Sequence, residues 1–276
     1  MGGATVSQFT EIKTDKSEGV LTITLDRPDR LNAWTGVMEA EVQQAVRAAG
    51  SDDAVRVIIV TGEGRGFCAG ADMAGLQSIQ GSGEARETTR VDRSDPIEDL
   101  YPGRFGYLYA CPKPIIAAIN GACAGIGLIF SLYADLRYCA EEAKFTTAFA
   151  QRGLIAEHGI SWLLPRLIGE ANALDLLFTA RKFDGKEAAK LGLVNAAYPV
   201  SELMGEVHLV ARHLATQVSP RSVAIMKRQV RETYFQSFEE SLEVADREMN
   251  DSFKTFDFKE GVDSFVERRP PAFQGR

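Results

Sequence analysis

Val20 to Leu25 alternates apolar and polar side chains and stops at Asp26-Arg27-Pro28-Asp29, which predicts a half-buried strand ended by a turn. Met38, Val42, Ala45, Val46 and Ala49 then recur at helical spacing, the apolar stripe of a helix laid on a sheet. Val55 to Thr61 is almost entirely β-branched and predicts a strand buried on both faces. Two strands around an amphipathic helix fit either a βαβ unit or a turn of a β-β-α spiral. Ile115 to Ile119 and Leu136 to Ala140 are further strands, separated by an Asn120-Gly121 turn and an apolar helix over Leu128 to Tyr133. From Ile160 onward the period is helical: Ile160 to Ile168, Ala171 to Ala180, Gly185 to Lys190, Leu203 to Val218, Pro220 to about Tyr234, Phe238 to Phe253, and Lys259 to Arg268. The pattern is that of an α/β core over 1–200 carrying a helical region over 201–276, with no repeat of solenoid length.

Gly75 to Arg104 breaks this regularity. Gly, Ser and charges of both signs dominate it, so it reads as a lid or a mobile loop whose charge run faces solvent.

Composition narrows the class. The chain has 276 residues, 45% hydrophobic and 25% charged, the balance of a globular protein with a sizeable core. The 31 basic and 38 acidic residues leave a net charge of −7, which argues against a duplex nucleic-acid binder. An anionic partner must then be held by backbone donors or a local basic patch. No window approaches the roughly 18 apolar residues of a membrane helix. The start of the chain shows neither a secretory signal nor, with Val6 at the position that requires Ser or Thr, a myristoylation motif. Cys68, Cys111, Cys123 and Cys139 form no C-x-x-C pair and read as reduced core thiols of a cytoplasmic, metal-free protein.

Gly62-Glu63-Gly64-Arg65-Gly66 follows a strand, as a dinucleotide loop would. Phe67 stands where the third glycine of that fingerprint belongs, however, and no helix opens directly from the turn. The more informative stretch continues from there as Gly66-Phe67-Cys68-Ala69-Gly70-Ala71-Asp72-Met73. It pairs with a second small-residue stretch, Asn120-Gly121-Ala122-Cys123-Ala124-Gly125-Ile126-Gly127.

Together these stretches resemble the crotonase superfamily, that is, the enoyl-CoA hydratase/isomerase family. The likeness begins at Asp26-Arg27-Pro28-Asp29-Arg30-Leu31-Asn32-Ala33 and includes Lys113-Pro114. It runs on through Lys186-Glu187-Ala188-Ala189-Lys190-Leu191-Gly192-Leu193-Val194-Asn195 to Phe265-Val266-Glu267-Arg268-Arg269. The resemblance implies a spiral of β-β-α turns with a C-terminal helical trimerisation region, assembled as a homotrimer or a dimer of trimers. It also implies an acyl-CoA thioester as substrate, with no metal and no redox cofactor. Small residues let backbone N–H groups approach a ligand, and two such donors make an oxyanion hole for a thioester enolate. By the family pattern those donors are Ala71 and Ile126, the latter in the middle of a tripeptide that relatives usually fill with three glycines. Arg30, Leu31 and the backbone of Ala69, Gly70 and Asp72 lie where relatives cradle CoA, with Gly125 beside them. Arg268 matches a basic residue that reaches the CoA phosphates, sometimes from a neighbouring subunit. Arg27 and Arg30 read equally well as surface charges, and Asp135 reads as structural.

Two positions depart from the family. Hydration uses a pair of glutamates to hold and deprotonate one water; here the corresponding positions are Ile129 and Phe149, which move no proton. With Ile126 and Trp162 they suggest an apolar acyl pocket, as an ordinary core also would. One carboxylate stands nearby, in Gly153-Leu154-Ile155-Ala156-Glu157-His158-Gly159-Ile160-Ser161-Trp162. This segment resembles that of dienoyl-CoA isomerases, dehalogenases of aromatic acyl-CoAs and hydroxyisobutyryl-CoA hydrolases, which place an Asp at the position of Glu157. The alternative is a helix-start residue favoured by the dipole. His158 is a candidate partner that orients Glu157 or titrates near neutrality. The expectation is therefore a single-base, isomerase-type enzyme acting through a thioester enolate. Two alternatives stand beside it: an acyl-CoA hydrolase or dehalogenase using Glu157, and a catalytically silent acyl-CoA-binding protein.

Overall fold

The computed structural model describes residues 9–72 and 99–276, and their strands form two sheets. In chain order the strands are β1 (Ile12–Ser17), β2 (Val20–Leu25), β3 (Val57–Gly62), β4 (Gly66–Cys68), β5 (Ile115–Ile119), β6 (Ala122–Ala124), β7 (Leu136–Ala140), β8 (Lys144–Thr146), β9 (Phe183–Asp184) and β10 (Ala196–Tyr198). The larger sheet has the order β1-β2-β3-β5-β7-β10 and the smaller β4-β6-β8-β9. Among the described residues only the β1–β2 and β8–β9 pairs are antiparallel. The chain thus lays one strand in the large sheet and the next in the small one, as β3 then β4, β5 then β6, and β7 then β8. That alternation is a β-β-α spiral rather than a plain βαβ layer.

Helix α1 (Gly36–Ser51) supplies the first crossover, capped by the Thr35 hydroxyl accepting from the Met38 N–H at 3.0 Å. Its buried residues are the five of the predicted stripe. Strand β3 is buried at every position, as its β-branched run requires. Strand β1 escapes the sequence reading because it is an edge strand: Lys13, Asp15, Lys16 and Ser17 are exposed and only Ile12 is fully buried. A two-residue turn at Glu18-Gly19, both at positive φ, joins it to β2.

The next helices are α2 (Gly106–Ala110) and α3 (Ile126–Leu132), the latter buried along its whole length. The sequence predicts α3 from Leu128; it begins two residues earlier because Gly125, at φ +51°, turns the chain straight into it. The expected loop from Gly75 lies outside the described residues up to 98. Its end leads into α2, which the sequence reading missed.

The remaining helices are α4 (Ile160–Ile168), α5 (Glu170–Thr179), α6 (Gly185–Leu191), α7 (Val200–Thr216), α8 (Pro220–Glu232), α9 (Phe238–Ser252) and α10 (Phe256–Glu267). Leu203, Val207 and Ala211 of α7 sit at helical spacing and are buried. Helices α8 and α9, by contrast, contain no buried residue. The arm they form is tied to the core by charge. Asp135 accepts the Ile115 N–H at 2.8 Å and pairs with Lys227 at 2.8 Å and Arg231 at 3.1 Å, both on α8. Asp135 is therefore structural, as its position implied. Among the described residues no helix is long and apolar enough to cross a membrane.

Candidate active site

Asn32 organises the first wall. Its side chain is fully buried, accepts the Arg27 N–H at 2.8 Å, and donates to the carbonyls of Glu63 at 3.0 Å and Gly66 at 2.7 Å. These bonds hold the turn after β2 against the turn that joins β3 to β4. Leu31 and Asn32 take left-handed backbone conformations there. The chain then pairs with the segment after β4: Ala69 N–H bonds Leu31 O, Trp34 N–H bonds Gly70 O, and Asp72 N–H bonds Trp34 O. The Trp34–Ala71 bridge is parallel, so the neighbours' bonds face Trp34 while the Ala71 N–H points away from it. Ala71 is exposed, and its N–H donates to nothing among the described residues.

The second wall is the start of α3. Gly70 takes φ +113°, and a Cβ there would lie 3.4 Å from the Ala124 carbonyl oxygen. A Cβ on Gly125 would lie 4.0 Å from Gly70 Cα, so the two small-residue stretches run against each other. Ile126 is the first residue of α3, where a backbone N–H has no partner within the helix. Gly127 lets the helix sit directly on β4, because a Cβ there would be 2.3 Å from Cys68 O. The structure thus brings Leu31, Ala69, Gly70, Ala71, Asp72, Gly125 and Ile126 together.

The two apolar departures border this corner. The Phe149 ring edge comes within 3.9 Å of the place a Gly125 Cβ would take, and Ile129, one turn into α3, is fully buried. Asp72 is held by Arg27, whose Nη1 donates to it at 3.1 Å. Arg30 is exposed on the turn at Pro28–Arg30, and Arg268 is exposed where α10 ends. Trp162 faces the arm. It packs on Tyr101, Tyr234 and Phe235 and lines a cavity of about 450 Å³ between α8 and the core.

Glu157 and His158 lie just before α4, their side chains about one-third exposed and 3.9 Å apart. Gly159 is the N-cap of α4, and no side chain caps that helix, so the Glu157 carboxylate is not spent there. Tyr133, at the end of α3, donates its hydroxyl to the His158 carbonyl at 3.0 Å. The ring beside the pair is Phe105, which also touches Trp34 and Phe130. One aromatic wall therefore runs from the Ala71 bridge to His158. Burial raises the Glu157 carboxyl above its ordinary range, and the nearby Arg104 cation pulls it back in part. Burial lowers the His158 imidazolium, with Arg104 acting in the same direction.

Sequence reasoning missed Trp34, Glu39 and Arg104. Arg104 donates from Nε to Glu39 Oε2 at 2.7 Å, and its Nη2 makes a second bond to the same oxygen. Glu39 also accepts the Trp34 indole N–H at 3.3 Å. Glu39 looks like a first-turn helix acid and Arg104 like the end of a solvated charge run, so neither carried a signal.

Residues 15–276 match the profile of the enoyl-CoA hydratase/isomerase family. The chain is 32% identical to the 1,2-epoxyphenylacetyl-CoA isomerase of Escherichia coli K12, over 94% of this chain and 96% of that protein. It is 35% identical to a probable enoyl-CoA hydratase of Rhodobacter capsulatus, over 96% and 98% of the two. Among solved structures, an enoyl-CoA hydratase from Bacillus anthracis superposes with a TM-score of 0.84 at 28% identity, covering 97% of this chain and 100% of that one. The spiral, the two facing small-residue stretches and these likenesses agree: the chain belongs to the enoyl-CoA hydratase/isomerase family of enzymes and has the crotonase fold.

Proposed function

We propose that this enzyme isomerises an acyl-CoA thioester through an enolate, with the Ala71 and Ile126 N–H groups on the thioester oxygen and Glu157 as the single base. The observation that carries the reading is the corner where Gly70 meets Gly125: two backbone donors that bond no backbone acceptor among the described residues, bordered by Phe149 and Ile129 where a hydratase would place carboxylates. In the forward step the Glu157 carboxylate takes a proton from the α- or γ-carbon, and the electron pair delocalises onto the thioester oxygen. Return of that proton to another carbon gives the isomer and regenerates the carboxylate. The two N–H donors stabilise the negative charge as it develops. No metal or redox cofactor enters this reading, since the CoA thioester is itself the substrate. The isomerase name of the E. coli relative accords with it.

The test is a mass-spectrometric screen of enoyl-, dienoyl-, hydroxyacyl- and aromatic acyl-CoAs in deuterated water. Deuterium uptake beside the carbonyl, with little hydration of crotonyl-CoA, is the expected result. Fast crotonyl-CoA hydration would show that the catalytic positions are misplaced. A covalent adduct on Glu157 would favour the hydrolase or dehalogenase chemistry, and binding without exchange would favour a silent binder.

A homotrimer, alone or paired into a hexamer, and a cytoplasmic location belong to the same reading. Support for assembly comes from the C-terminal helical region: Met226, Phe238, Phe253, Phe265 and Val266 are 54–84% exposed, more apolar surface than a lone chain would leave in water. Light scattering across a dilution series should give three or six times the chain mass. A stable monomer at micromolar concentration would overturn the assembly.

A further inference from the structure

The Glu39–Arg104 pair joins the two halves of the site. Glu39 stands in the first turn of α1 and accepts from the Trp34 indole; Trp34 in turn bridges Ala71. Arg104 spends Nε and Nη2 on Glu39 and presents Nη1 to His158 Nε2 at 3.5 Å. From these contacts we infer that the Glu39–Arg104 pair is the positioning device of this site, holding the Glu157–His158 segment against the Ala71 loop and setting the charge that the Glu157 carboxylate feels. The inference rests on the proposed role of Glu157 as the base.

A guanidinium has no acceptor, so a bond from Nη1 requires the facing His158 nitrogen to be unprotonated. Burial first, and the Arg104 cation after it, disfavour the His158 imidazolium, while Glu39 acts in the opposite direction. His158 holds a left-handed backbone, φ +47°, which costs free energy and persists only where surrounding contacts offset it. The Tyr133 bond to its carbonyl and the Arg104 contact to its ring are those surroundings. Among the described residues, the charged or titratable groups facing Glu157 and His158 are Arg104, Glu39 and Tyr133, besides the two themselves. The pair is half-buried, its side chains 21% and 27% exposed, so solvent screens its charges only in part. Beside it the Tyr107 hydroxyl is buried and has no hydrogen-bond partner among the described residues, and burial followed by the Glu39 charge pushes that phenol far up.

The signs follow from charge. The Arg104 cation favours the Glu157 carboxylate, and Glu39 offsets part of that cation. A unit charge several ångströms away at intermediate effective dielectric moves an ionisation by about 0.5–1 pH units. The experiment is deuterium exchange into phenylacetyl-CoA, whose α-protons are acidified by ring and thioester together, followed from pH 4 to 9. Arg104→Met should move the rising limb of the rate to higher pH by about 0.5–1 pH units, and Glu39→Gln should move it to lower pH. Arg104→Lys should restore the limb but not the full rate, since an ammonium keeps the charge and loses the fork. Should Arg104→Met not fold, Glu39→Gln decides alone, because the amide keeps the size and an acceptor for Trp34. Limbs that overlay the parent, or that move the same way in both variants, overturn the inference. A rate lost equally at all pH values overturns it too, since that marks a purely structural pair. Glu157→Gln separates the two levels. If that variant still exchanges, the proposed function falls; if it is silent while the limbs stay fixed, only the positioning role falls.

Discussion

Glu157→Gln should slow deuterium exchange into an acyl-CoA by about 10²–10⁴-fold, the usual contribution of one general base, while leaving acyl-CoA binding nearly intact. The amide matches the carboxylate in size, and the side chain is about one-third exposed, so the exchange costs the fold little. What it removes is the ability to accept a proton. The pH dependence has a definite sign. In the proposed mechanism the base is the carboxylate, so exchange by the parent should rise with pH through the Glu157 ionisation. That limb lies above the ordinary carboxylate range because burial outweighs the opposing Arg104 charge. The Gln variant should show a flat residual rate, and His158→Ala a smaller loss with a displaced limb. Exchange by Glu157→Gln at the parental rate would reduce Glu157 to a residue that merely precedes α4.

Gly127→Ala should cost about 10²–10³ in rate, what removing one oxyanion donor typically costs. The added Cβ would sit 2.3 Å from Cys68 O, 2.7 Å from Cys68 Cβ and 2.9 Å from its Sγ. Backbone and a fully buried thiol offer no flexible end to move aside. The first turn of α3 must therefore lift off β4, carrying the Ile126 N–H away from Ala71. Overpacking of this kind also destabilises by about 1–3 kcal/mol, so a lower melting temperature should accompany the slower exchange. A lowered melting temperature with a parental rate would show that Ile126 is not a donor.

The strands legible in the sequence are those long enough to show a period. Val20–Leu25, Ile115–Ile119 and Leu136–Ala140 appear where the pattern puts them, as do the stripe of α1 and, to within three residues at their ends, the helices from Ile160. Strands β4, β6, β8, β9 and β10 have only two or three residues each, too few for alternation to register. They are the small sheet and the last edge of the large one, so the pattern left the spiral open beside a βαβ unit and only the family likeness chose between them.

The sequence by itself determined the family, the small-residue stretches that meet at Gly70 and Gly125, and the apolar side chains at Ile129 and Phe149. Each is a local pattern, carried by neighbouring residues and the backbone they permit. Tertiary structure alone decided what surrounds Glu157. Glu39 and Arg104 are 65 residues apart, and Arg104 and His158 are 54 apart. Asp135 and Arg231, which anchor the arm, are 96 apart. Contacts over such separations leave no periodicity in the chain, and a charged side chain reads the same whether it ends in water or beside the Glu157–His158 segment. Only the folding of α1, the start of α2 and the segment before α4 onto one aromatic wall makes that distinction.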